Sequence, residues 1–345
     1  LLTRPILQLM QTPSDIIDDA VTYIGWIFAG IPFVFLYNMV TCIMRALGDS
    51  KTPLIFLIIT SVLNVGLDLF FIIVFDAGVL GAAVATDLSQ AVSGIISLIY
   101  LLKKFDIIKM QPGENRLHSG ACAKLLGMGL PMGLQCSITA IGSIIMQWAV
   151  NVLGSTAVAA VTAAGKTSNL LCVPLESIGT AMTTYAGQNL GAARLDRVRS
   201  GVRCAMGIIT VYAAGSLLFL HFFDVGIIGM FIDTGTELEV VSMAQSYLFW
   251  NSVFYLPLGA LIVWRYDIQG LGYSSIAMLA GVAEMIARTA VALLLVPALG
   301  YFGASLANPA AWIAACIFLA PAYSWTMHHI ANRLNAGKLR MSQEI

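Results

Sequence analysis

The chain has 345 residues, of which 59% are hydrophobic and only 10% charged, and its mean hydropathy is +0.86. Soluble domains carry about a quarter charged residues, so this composition excludes an ordinary soluble protein and predicts an all-α polytopic membrane protein. The 18 basic residues balance the 18 acidic ones, which gives nucleic acid no electrostatic footing as a partner.

In chain order, Leu1 to Met10 reads as the end of a helix, followed by an acidic turn from Thr12 to Asp19. A span from about Ala20 to Leu47 ends at Gly48-Asp-Ser-Lys-Thr-Pro53, a helix stop and restart signal. From Thr52 to Asp87 come a second span and the start of a third. The second, Ile55 to Phe75, is apolar apart from small polar groups, Asn64 and Asp68, and has the length a bilayer-crossing helix needs. A carboxylate inside such a span costs about 2.5–3.5 kcal/mol on insertion scales, so Asp68 marks a functional hypothesis. Ser61, Asn64 and Asp68 fall on one helix face. After the turn at Asp76-Ala77-Gly78, Thr86 lies about as far beyond the turn as Asp68 lies before it, so Asn64, Asp68 and Thr86 are expected to meet at one depth. Asp87, about 100° around from Thr86, is a secondary candidate.

Lys103 to Lys124 is polar and basic and reads as the linker between two halves. Six apolar segments follow, near 125–153, 157–184, 202–223, 240–264, 275–299 and 303–327, giving about nine full spans in all. The expected domains are residues 1–105, a linker 106–124, a second lobe 125–332 and a tail 333–345. If the linker is cytoplasmic, alternation puts every Lys and Arg except Arg4, Lys166 and Arg288 on that side, as the positive-inside rule asks. The opposite face collects acids, among them Asp15, Asp18, Asp19, Asp76, Asp224 and Asp233.

The halves repeat. Tyr23, Pro32, Leu47-Gly48 and the run Gly78 to Ala85 correspond to Tyr247, Pro257, Leu271-Gly272 and the run Gly300 to Ala307. Corresponding helices point the same way, which is the parallel type of transporter repeat. Extending the repeat backwards leads to the expectation that about 100 residues precede Leu1 in a twelve-helix, six-plus-six protein. The counterpart of the Thr52–Asp87 stretch, Ser275 to Pro309, lacks the Asn-x-x-x-Asp pair, so the polar site belongs to the first half.

Several linked motifs resemble the multidrug and toxic compound extrusion (MATE) family, and more closely its DinF-like prokaryotic branch: Arg45 to Pro53, Asn64-Val-Gly-Leu-Asp68, Gly78 to Thr86, Gly129-Leu-Pro-Met-Gly-Leu-Gln135 and Gly187-Gln-Asn-Leu-Gly-Ala192. The resemblance implies a two-lobe bundle of six plus six helices that alternates between inward and outward openings. It also implies antiport, a cation (H+ or Na+) moving in as a small, cationic or amphipathic drug-like substrate moves out. In that family an Asn and an Asp on the fifth helix and a Thr on the sixth form part of the cation site; these match Asn64, Asp68 and Thr86. A fourth ligand, an Asp on the first helix, would precede this chain. Where some members carry a Glu on the seventh helix this chain has Thr139, which argues against a second-lobe cation site of that kind.

The bland alternative for Asn64, Asp68 and Thr86 is interhelical hydrogen bonding. Candidates for the substrate path are Gln135, Gln147, Glu176, Glu284 and Arg288, with Met132 and Met146 as pliable wall. Glu284 and Arg288, spaced i and i+4, can neutralise each other. Lys166 and Glu176 share no face and each needs another partner. Pro32 and Pro257 predict kinks at equivalent repeat positions. The six cysteines stand singly and read as small core residues. There is no GxSxG, no HExxH and no His cluster within a span, so the reading is a secondary transporter without cofactor, not an enzyme. The expected setting is the bacterial inner membrane, with linker and C-terminus cytoplasmic and the protein a monomer. A lipid-linked precursor flippase and a non-transporting scaffold are the alternatives.

Overall fold

Long apolar segments with few Gly or Pro breaks have one way to satisfy their backbone polar groups in a bilayer, the helix. In the computed structural model, which describes residues 3–9, 17–109, 118–231 and 237–337, all regular structure is helical. Eight of the described helices are long and apolar enough to cross a membrane, or nine if one bent pair forms a single span. Asp15, Asp233, Arg116, Lys338 and Arg340 lie outside the described residues. The chain divides into two compact units, Leu1–Arg116 and Leu117–Ile345.

In the first unit, α1 (Thr3–Leu9) leads to α2 (Ile17–Ala46), α3 (Lys51–Leu69) and α4 (Gly78–Lys104). Both α2 and α3 pack along α4. Contact with α2 is close because Gly30 has no side chain: a Cβ there would lie 1.8 Å from Asp87 Oδ1. The outward faces, with Ile55, Ile58, Ile59, Val62 and Val65 of α3 exposed, are apolar as a lipid-facing surface requires.

The second unit comprises α5 (Ser119–Val152), α6 (Ser155–Gly191), α7 (Leu195–Ile228), α8 (Leu238–Val253), α9 (Tyr255–Gly270), α10 (Ser274–Ala290), two short helices α11 (Val296–Leu299) and α12 (Tyr301–Ser305), and α13 (Ala307–Asn335). Its largest core gathers Leu175, Ile209, Tyr255, Ile262 and Leu319. Helix α5 runs beside α10, and α9 is surrounded by α6, α7, α13 and α10. Because α5 begins at Ser119, helix already forms within the stretch expected to be linker.

The repeat carries a backbone signature. Helix α3 ends in a π-helical turn, Phe70–Val74, and α10 ends in another, Val291–Leu295, at the equivalent place. Left-handed backbone follows at Asp76 and Gly78 in one unit and at Gly300 in the other, conformations that Asp tolerates and Gly favours.

Three expectations are corrected. The two prolines are not equivalent: α2 runs unbroken through Pro32, whereas α8 and α9 meet at a 51° bend with Pro257 in the first turn of α9. Pro257 has no N–H for the Val253 carbonyl, and helical bonding resumes with Leu258 N donating to Phe254 O at 3.1 Å. The cysteines are not core: Cys42, Cys136 and Cys204 are exposed and Cys122, Cys172 and Cys316 only partly buried, since in a bilayer the outer surface accepts apolar groups as readily as the interior. Arg265, assigned above to a basic membrane face, is 9% exposed inside the second unit.

Candidate functional site

The turn from α2 to α3 is built by Gly48, at φ +90°, and by Asp49. The Asp49 carboxylate accepts the Thr52 N–H at 3.1 Å, the Thr52 hydroxyl at 2.8 Å and Lys104 Nζ at 2.7 Å. The hydrogen bond from Lys104 holds the Asp49 carboxyl well below the usual carboxylate range. This knot ties the start of α3 to the end of α4.

From there one antiparallel register holds along the helix pair. Thr52 Oγ meets Tyr100 Oη at 3.1 Å, Thr60 Oγ meets Ser93 Oγ at 2.6 Å, and Gly81 sits so close to Phe71 that a Cβ would lie 3.0 Å from the Phe71 Cβ. Continued between the last two links, this register sets Asp68 level with Thr86, and Asn64 one turn away, level with Ser89. Asn64 Nδ2 and Asp68 Oδ1 are buried and have no hydrogen-bond partner. The Thr86 hydroxyl spends its proton on the Ala82 carbonyl at 3.0 Å, which leaves the oxygen lone pairs as acceptors. Such an oxygen-rich set, with one orphaned carboxylate oxygen, suits a proton or a hard cation such as Na+. Ser61 does not join it; its hydroxyl donates to Leu57 O at 2.9 Å on an exposed face. Asp87 faces Gly30 of α2. Among the described residues, no three His, Cys, Asp or Glu form a group able to hold a metal ion.

In the second unit, four of the five substrate-path candidates belong to one connected network, and three residues the sequence reading did not single out hold it together. Arg265 Nη1 donates to Glu284 Oε1 at 3.1 Å and Arg288 Nη2 to Glu284 Oε2 at 3.3 Å. Arg265 Nη2 also lies 3.9 Å from Glu176 Oε1, and Tyr266 Oη donates to Glu176 Oε2 at 2.5 Å. Beside this chain of charges, Gln269 Nε2 donates to Gln135 Oε1 at 2.9 Å. Glu284 and Arg288 are 4% and 8% exposed at their side chains, while Glu176 is 47% exposed. The network therefore grades from a buried ion pair to an open carboxylate. Gln147 stands apart, donating to Asn151 Oδ1 at 2.9 Å on an exposed face. Lys166 is exposed, its ammonium 5.5 Å from the Phe231 ring centre. The missed residues, Arg265, Tyr266 and Gln269, sit in the run Arg-Tyr-Asp-Ile-Gln at the end of α9; its charges looked terminal by position, and only neighbouring helices reveal their burial.

The MatE family model matches residues 1–70 and 131–316. The chain is 32% identical over 275 residues to the probable multidrug resistance protein YpnP of Bacillus subtilis, covering 79% of this chain and 60% of that protein. It is 28% identical over 264 residues to YoeA, a second probable multidrug resistance protein of the same organism, covering 74% and 56%. The chain thus spans less than two thirds of the length of these relatives. Among solved structures, the Vibrio cholerae MATE transporter VcmN in its bent form superposes with a TM-score of 0.86 at 21% identity, covering 95% of this chain and 74% of that one. A MOP superfamily transporter from Pyrococcus furiosus gives 0.85 at 20% identity, covering 95% and 73%.

Proposed function

The chain belongs to the MatE family, a family of secondary transporters rather than enzymes, and we propose that it serves cation-driven efflux of small organic compounds by alternating access. The observation that carries this reading is the level placement of Asp68 and Thr86 with Asn64 one turn away, where an orphaned carboxylate oxygen and amide await a ligand. Asp68 exchanges H+ or Na+, and coupling follows because the cation binds the two openings with different affinity. Substrates are drug-like and cationic or amphipathic. In the second unit Glu176 offers an open carboxylate to a substrate's positive charge, while Arg265, Glu284 and Arg288 hold the helices behind it. Gln135, paired to Gln269, and Gln147 add hydrogen-bonding wall. The protein works as a monomer in the bacterial plasma membrane, with residues 103–124 and the C-terminus cytoplasmic. The similarity to YpnP and YoeA supports multidrug efflux.

The test is ethidium or fluoroquinolone transport in proteoliposomes, driven by a proton gradient with sodium absent and then by a sodium gradient. Asp68→Asn is expected to abolish cation-driven transport and to leave equilibrium substrate binding within a few-fold. Full coupled transport in that variant overturns the role of Asp68, and the two gradients distinguish H+ from Na+.

A further inference from the structure

Asp267 lies in the last turn of α9 and is fully buried, 0% exposed, yet neither of its carboxylate oxygens has a hydrogen-bond partner. An ionised carboxylate without water, donor or counter-charge is among the costliest groups a fold can hold. The helix end adds to the cost, because the free carbonyls of a C-terminus present negative potential to the last turn.

The surrounding charges are committed elsewhere. On α9 itself, Arg265 turns to Glu284 of α10 and Tyr266 to Glu176 of α6. Arg199 and Arg203 of α7 act on Tyr323 of α13, a hydroxyl that Asp267 also acts on, but neither arginine bonds the carboxylate. Past Tyr273, His329 of α13 stacks on Trp325 at 5.0 Å. Helix α8 joins α9 at its far end, about 18 Å away at 1.5 Å per residue.

Packing keeps water out. Gly270 approaches α6 so closely that a Cβ would lie 2.4 Å from Thr183 O, and Thr183 Oγ donates to Tyr266 O at 3.0 Å. Ile268, Ala277 and Leu319 belong to the buried core of this unit. Two more buried hydroxyls without partners, Tyr273 Oη and Ser274 Oγ, follow where α9 turns into α10.

We infer that Asp267 is a proton-binding site of the second unit, separate from Asp68, loaded in this conformation and emptied when α9 parts from α6 and α13. On release the carboxylic O–H bond breaks, and the proton passes to water admitted at the Tyr273–Ser274 turn. The carboxylate left behind is then hydrated. Loading follows from burial alone; release rests on the transport reading above.

Infrared difference spectroscopy of the reconstituted protein tests loading. The carbonyl stretch of a protonated carboxyl is expected in the wild type and in Asp68→Asn, and is expected to be lost in both Asp267→Asn and Asp267→Leu. A spectrum unchanged by the Asp267 substitutions overturns the inference. Proton release on adding ethidium, read with a pH-indicator dye, tests function. Release is expected to fall at least about twofold in Asp267→Asn and to return in Asp267→Glu. A band that disappears with unchanged release marks a structural acid and overturns the carrier role. Failure of Asp68→Asn to affect transport bears on Asp68 alone, because the Asp267 band is read independently of it.

Discussion

Thr60 and Ser93 are joined hydroxyl to hydroxyl at 2.6 Å, and this buried polar contact between two apolar helices sets the height of Asp68 against Thr86. Interhelical hydrogen bonds in membranes contribute about 0.6–2 kcal/mol. Thr60→Val is therefore expected to lower stability by that amount in a detergent melt and to weaken the cation dependence of transport several-fold. Ser93→Thr keeps the hydroxyl and is expected to retain both. Intact cation dependence in Thr60→Val would show that the register is held elsewhere.

Glu284 is the sole acid between two buried guanidinium groups, Arg265 and Arg288. Removing one member of a buried ion network leaves uncompensated charge, at a cost of about 3–5 kcal/mol. Glu284→Ala is expected to lose that much in denaturant unfolding of the reconstituted protein. Replacing Arg265, Glu284 and Arg288 together by Met, Leu and Met is expected to recover most of it, because no orphan charge remains.

Gly270 is required for close approach. A methyl group there meets the Thr183 carbonyl oxygen at 2.4 Å, and backbone cannot swing aside as a side-chain end can. Gly270→Ala is expected to cost about 1–3 kcal/mol by overpacking and to part α9 from α6. Hydrogen exchange at Leu271 and Tyr273, whose amides bond Asp267 O and Ile268 O, is expected to rise with it.

Asp49 supplies the pH dependence that can be assigned a sign. Its carboxyl is held low in the folded protein, chiefly by the hydrogen bond from Lys104. Its stabilising contribution is therefore fully present above the ordinary carboxylate pKa of about 4 and is lost as the pH falls through the lower folded value. Acid melts are expected to show less loss in Asp49→Asn than in wild type. At pH 7, Asp49→Ala is expected to cost about 1 kcal/mol from the lost cap of α3, measured as a lowered melting temperature.

Much of this protein is legible from residue order because the bilayer is so demanding a solvent. A run the length of Ile55–Phe75 has one structural solution, and Asn64, Asp68 and Thr86 announce themselves because polar groups there are expensive. Helix period and distance from the turn sufficed to predict that Asp68 and Thr86 share a depth, since antiparallel neighbours joined by a tight turn leave little freedom in register. What stayed hidden depends on helices distant in sequence. Arg265 and Asp267 stand two residues apart near a helix end, where position suggests a solvated face. The close approach of α6 at Gly270 and the packing of α10 and α13 bury both instead, one against Glu284 and the other with no partner. Local sequence determined which segments cross the membrane and which face of α3 is polar; tertiary packing decided which charges are paired, because a salt bridge or an orphaned carboxylate is a property of the helices that surround it.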